Sequence, residues 1–195
     1  MNNKLKEATI LTTSLIEKTE YYDPKKINSR WEFSRSFAKL LHEYDAPERD
    51  VIIVCVGSDR ATGDCLGPLV GEKLSRSYRQ YTVYGTLDNP VHARNLAETI
   101  STINATYYNP LIIAIDASLG ISRHVGYVTM GKGCLRPGIG VGKDLQAIGD
   151  IYITGIVGIS GMLNQMLPQT TRLSLVMHLA DFIYTGIRQS RHHLR

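Results

Sequence analysis

The stretch VIIVCVGSDRATGDCLGP, residues 51–68, decides the architecture. Val51 to Val56 is a continuous apolar run rich in β-branched residues. Such a run predicts a strand buried on both faces. The polar, glycine-containing loop 57–67 follows. Pro68 then opens a helix to about Tyr78, at a position where its missing N–H costs nothing. Working outward, 81–87 reads as a second strand, 91–106 as a helix and Leu111 to Ile115 as a fully apolar strand. The order β-α-β-α-β implies parallel strands joined by crossover helices. Further on, 124–130 alternates like an exposed strand, 131–143 reads as a long functional loop, 151–157 as a strand and 173–187 as an amphipathic helix. The expected fold is a three-layer α/β/α domain with a mostly parallel central sheet.

Before this core, Trp31, Phe33, Phe37, Leu40, Leu41 and Tyr44 recur at helical spacing. Ser29 is placed as the N-cap, with Glu32 completing a capping box, and Pro47 ends the helix. The division is an N-terminal arm over 1–28, a single α/β domain over 29–190 and a basic tail over 191–195. Apolar residues make up 43% and charged residues 21% of the 195, a globular composition that excludes a disordered chain. Much of the net charge of +4 sits at the C-terminus, in Arg188, Arg191 and Arg195, and it does not imply nucleic acid. Cys55, Cys65 and Cys134 form neither a C-x-x-C pair nor an even set, so a reducing, cytoplasmic setting is expected. Polar residues break every apolar stretch at the N-terminus, so neither a signal peptide nor a membrane span is expected.

In open α/β sheets ligands bind beyond the carboxyl ends of the strands. Ser58, Asp59, Arg60, Thr62, Gly63 and Asp64 follow the first apolar strand. His92 follows the second, Asp116 and Ser118 the third, and Gly158 the last. The 57–67 loop has neither G-x-G-x-x-G spacing nor a G-K-[ST] ending, so it is not a nucleotide fingerprint. Two carboxylates at adjacent strand ends can split their pKa values and act as acid and base. They can also hold a divalent metal, with His92 as a third ligand. Either aspartate alone suits an ordinary turn or loop-ordering role equally well. Cys65 adjoins Asp64, which opposes thiolate formation, so a structural cysteine is expected. The G-x-S-x-G elbow of serine hydrolases is missing.

VCVGSDRATGDCLGPLVG (54–71), TLDNPVHARNL (86–96), IIAIDASLG (112–120), RPGIGVGKDL (136–145) and GDIYITGIVG (149–158) together carry a resemblance. They closely resemble the YyaC-type sporulation protease family, over about residues 50–190. That family is similar to the spore germination protease, which degrades small acid-soluble spore proteins, and to the hydrogenase-maturation endopeptidases. The resemblance implies a phosphorylase/hydrolase-like α/β fold. It also implies that Asp64, in TGDCLGP, and Asp116, in AIDASLG, are the two acidic groups of an atypical aspartate protease. The hydrogenase relatives add a histidine about 30 residues after the second acidic slot to hold a metal of the substrate. This chain has none there.

The expected function is a metal-independent, cofactor-free peptidase of the spore-forming cytoplasm, in the forespore or spore core. Asp64 and Asp116 are its catalytic pair. Ser58, Asp59, Arg60, Thr62, Gly63, His92, Ser118 and Gly158 line the peptide cleft with the 131–143 loop. The expected partner is a peptide or protein substrate such as a small acid-soluble spore protein, with no membrane and no direct nucleic acid, and an oligomer is compatible with the sequence. Two alternatives stand beside it. One is a non-catalytic peptide-binding or regulatory protein on the same fold. The other is a divalent-metal hydrolase using Asp64, Asp116 and His92.

Overall fold

The computed structural model describes residues 19–77, 80–137, 146–160 and 171–193. In it one six-stranded sheet carries strands β1 (Glu20–Tyr22), β2 (Val51–Cys55), β3 (Thr82–Tyr84), β4 (Leu111–Gly120), β5 (Val128–Lys132) and β6 (Ile151–Ile159). Their spatial order is β1-β5-β6-β4-β2-β3. The pairs β2·β3, β2·β4 and β4·β6 are parallel, and β1·β5 and β5·β6 antiparallel. The sheet is therefore mostly parallel, as the alternation of apolar runs and helical segments predicts. The helices among the described residues are α1 (Ser29–Glu43), α2 (Leu66–Ser77), α3 (Leu96–Thr106) and α4 (Leu173–Ser190).

Two apolar cores lie on opposite faces of this sheet, because alternate residues of a strand point to opposite sides. On one face Ile53, Cys55, Ile113, Ile115, Ile151 and Ile153 pack with Phe33 and Phe37 of α1, Leu66 and Val70 of α2, and Phe182 and Ile183 of α4. On the other, Ile52, Val54 and Ala114 pack with Leu96, Ile100 and Ile103 of α3. The result is the expected α/β/α layering. Strand β2 has β3 on one side and β4 on the other. The connection to β3 runs through α2 on the first face, and that from β3 to β4 through α3 on the second. The chain thus reverses its winding between β2 and β4. Such a switch point opens a crevice at the carboxyl ends of the two strands.

Several local expectations are corrected. Helix α1 begins at Ser29 with Asn28 as its cap, and no side chain caps it. The Ser29 N–H donates to the Lys26 carbonyl (3.2 Å) and the Glu32 N–H to the Asn28 carbonyl (3.0 Å), so backbone turns replace the capping box. Trp31 stays half exposed rather than joining the core. Helix α2 starts at Leu66, after a 3₁₀ turn over Thr62–Cys65. Strand β3 shrinks to three residues and α3 begins only at Leu96. The segment expected as an exposed strand at 124–130 opens instead as a 3₁₀ turn at Ser122–His124. Its strand is β5, buried from Val128 to Gly131 because β1 pairs along its outer edge. Strand β1 draws its three residues from the 1–28 segment. Only part of the long glycine loop expected at 131–143 is described. Gly131 and Lys132 belong to β5, Leu135 bridges to Ile148, and residues 138–143 lie outside the described residues.

Candidate functional site

The 57–68 segment folds tightly against the end of β2 because glycine lets backbones touch. Gly57 has φ +139°, and an added Cβ would lie 2.0 Å from the Asp64 carbonyl oxygen. A Cβ on Gly67 would lie 2.0 Å from the Val56 carbonyl oxygen. Within the loop the Ser58 N–H donates to the Asp64 carbonyl (3.1 Å) and the Asp64 N–H to the Ala61 carbonyl (2.9 Å). The Ser58 hydroxyl accepts from the Arg60 N–H at 3.2 Å. Asp64 is thereby fixed in the turn that leads into α2, partly open to solvent.

Asp116 arrives from the neighbouring strand. Ile115 pairs with Cys55, the last residue of β2, so Asp116 stands one step past the point where β2 stops. Strand β4 itself does not stop there. It runs on to Gly120, further than the apolar run LIIAI predicts, because β6 continues beside it. Asp116 is therefore a strand residue, 6% exposed, whose Oδ1 accepts the following Ala117 N–H at 2.7 Å. Burial first, and then the charge of Asp64, hold its carboxyl well above the usual carboxylate range; the Ala117 N–H opposes them. The two aspartates thus meet electrostatically at the β2/β4 switch point.

A chain of hydroxyls lies beside Asp116. Thr154 pairs in register with Asp116 on one side and Thr129 on the other. Its Oγ1 is 2.9 Å from the Ser118 hydroxyl and 2.7 Å from that of Thr129. Sequence reasoning places Ser118 at the site but misses Thr129. The signal is the alternation in VTMGK, where apolar Val128 and Met130 flank a threonine that must face the other way.

The remaining expected residues divide. Ser58, Asp59, Arg60, Thr62 and Gly63 belong to the turn that carries Asp64, with Asp59 and Arg60 exposed. Gly158 pairs with Leu119 near the far end of β6, where the register shifts. The Gly57 N–H bonds the Val91 carbonyl at 2.8 Å, which ties the loop to the segment holding His92. His92 itself lines a different space, a cavity of about 510 Å³ beyond β3 with Asp88, Asn89, Asn95 and Thr99. Its Nδ1 is buried and, among the described residues, has no hydrogen-bond partner. Among the described residues no three His, Cys, Asp or Glu side chains gather closely enough to hold a metal ion, so His92 does not complete a triad with the aspartates. Burial, with Asp64 and Asp59 adding to it, pushes the Cys65 thiol up, against a nucleophilic role. No helix of the described residues is long and apolar enough to cross a membrane.

The chain is 46% identical over 143 residues to the uncharacterized protein YyaC of Bacillus subtilis (strain 168), covering 73% of this chain and 70% of that one. Among solved structures it is similar to the [NiFe] hydrogenase maturation protease HycI of Thermococcus kodakarensis KOD1. There the TM-score is 0.40 and the identity 15%, over 71% of this chain and 92% of that one. Residues 20–186 match the family described as protein of unknown function (DUF1256), which takes in β1, both aspartates and most of α4, and the chain belongs to that family.

Proposed function

We propose that this chain is a peptidase that hydrolyses peptide bonds with Asp64 and Asp116 as an acid and base pair. The observation that supports it most is the meeting of these carboxyls, one buried and one partly open, at the crevice between β2 and β4. Two such groups with different surroundings favour different protonation states. The buried Asp116 keeps its proton and Asp64 carries the charge. Asp64 then takes a proton from a water whose oxygen adds to the substrate carbonyl. Asp116 gives its proton to the leaving amine as the C–N bond breaks. The proton on Asp64 passes back to Asp116 and resets the pair. Ser58, Asp59, Arg60 and Thr62 form the rim that meets the substrate on the Asp64 side, with the buried Gly63 beneath them, and Ser118 that on the Asp116 side.

The motifs around both aspartates resemble those of the sporulation proteases, which points to small acid-soluble spore proteins as substrate and to the forespore or spore core as the place of action. Incubating the purified chain with such a protein and following fragments by mass spectrometry tests this reading. Asp64→Asn and Asp116→Asn should each reduce cleavage by about 100-fold or more while leaving the circular dichroism spectrum intact. Undiminished cleavage in both variants would refute the mechanism.

A further inference from the structure

Strand β4 outruns its neighbour. On the β6 side its pairing continues through Gly120, whereas on the β2 side it ends at Ile115. The last bond there runs from the Val56 N–H to the Ile115 carbonyl, at 2.7 Å. In a parallel ladder the next donor would come from Ser58 and would meet the Ala117 carbonyl. That donor is turned away, to the Asp64 carbonyl, and the Gly57 N–H goes to Val91. Backbone groups of a strand alternate in direction, so residues 116, 118 and 120 serve β6 while 117 and 119 face the vacated side. The Ala117 N–H is taken by the Asp116 carboxyl. Among the described residues, nothing pairs with the Ala117 carbonyl or with either backbone group of Leu119 on that side. Both residues are partly exposed.

We infer that this edge of β4, Ala117 to Leu119, is where substrate docks, as an extended peptide that adds one strand to the sheet in line with the end of β2. The inference rests on the peptidase reading for what happens next, but the docking stands on geometry of its own. An acceptor at Ala117 followed by a donor and an acceptor at Leu119 is a pattern that an extended main chain matches residue by residue. A peptide in this lane runs beside the Asp116 carboxyl at the step where β2 gives out. Its main chain is thereby delivered to the two carboxyls without a side-chain anchor. Asp59 and Asp64, in the turn that follows β2, are both close enough to Cys65 for their charge to act on its thiol. The occupant favoured by that charge carries Lys or Arg next to the bound segment.

Backbone amide exchange in the full chain carrying Asp116→Asn tests this, since asparagine keeps the Oδ1 acceptor and blocks turnover. The probes are a ten-residue peptide of alternating Lys, Thr and Val, its counterpart with Glu for Lys, and a copy of the first with alternate peptide nitrogens methylated. The Lys peptide should slow exchange at the Leu119 amide by about tenfold, and the Glu and methylated peptides should not. Unchanged exchange at Leu119 overturns the inference, as does equal protection by the methylated peptide. So does protection that appears without peptide as protein concentration rises, which would identify a second copy as the occupant. Wild-type cleavage of the Lys peptide with no change at Leu119 would leave the peptidase reading standing and remove this dock. Protection at Leu119 with no cleavage by the wild type would do the reverse. Leu119→Pro deletes the donor and should raise KM for the Lys peptide about tenfold with kcat little changed, where the folded amide spectrum is retained.

Discussion

Burial first, and then the neighbouring charge of Asp64, raise the Asp116 carboxyl well above its ordinary value. An unfolded aspartate titrates at about 3.9. With the folded value raised, the favourable contribution is complete below that value and is lost as pH rises through the folded pKa. Asp116→Asn, neutral at every pH, should therefore stabilise the chain at pH 7 and not at pH 4. Each pK unit by which the folded value is raised is worth about 1.4 kcal/mol at pH 7, and each kcal/mol corresponds to a rise of roughly 2–4 °C in Tm for a chain of this size, readable by calorimetry at the two pH values. Equal Tm values at pH 7 would show that the buried carboxyl carries no penalty. The second cause is separable from the first. Asp64→Asn should move the Asp116 titration downward, as followed by its carboxyl carbon shift, and an unmoved titration would uncouple the pair. Both aspartates are legible in the sequence because each follows an apolar run that must be a buried strand. The hydroxyl of Thr129 is not legible in the same way. Its importance comes from a register between β5 and β6 that no local pattern specifies.

At the scale of elements, α2 lies against the sheet so closely that side chains are excluded along one line. A Cβ on Gly71 would sit 1.9 Å from the Gly85 carbonyl oxygen, and one on Gly85, at φ +89°, would sit 1.9 Å from the Cys55 carbonyl oxygen. Gly71→Ala should cost about 1–3 kcal/mol, measured by urea unfolding, because backbone rather than a flexible side chain must give way. An unchanged midpoint would mean that α2 can lift without penalty. The parallel strands are legible from VIIVC and LIIAI, which can only be buried on both faces. Strand β1 is not. Glu20, Tyr21 and Tyr22 form a strand only because Met130, Thr129 and Val128 stand opposite them. The length of β4 is equally hidden, since DASLG continues as a strand on the strength of its pairing with β6 rather than of its own composition.

Across the whole molecule the two cores share β2 and β4, so neither face can melt alone. Phe33→Ala on the α1 face should cost about 3–5 kcal/mol and Ile103→Ala on the α3 face about 2–5 kcal/mol. Each should leave a single unfolding transition seen alike by fluorescence and circular dichroism. Two separated transitions would show that the layers fold independently. The overall α/β layering follows from the order of apolar runs, and the +4 charge plays no part in it. The glycines at 57, 67, 71 and 85 separate two meanings of kinship. They are dictated by the passage of backbone over backbone and would be kept by any descendant of this fold, working or silent. A descendant that has lost its chemistry would still read as G-x₉-G-P-x-x-G through this region. On the peptidase reading proposed above, only the identities at 64 and 116 would betray the loss, so a census of relatives for that activity has to be taken at those two positions.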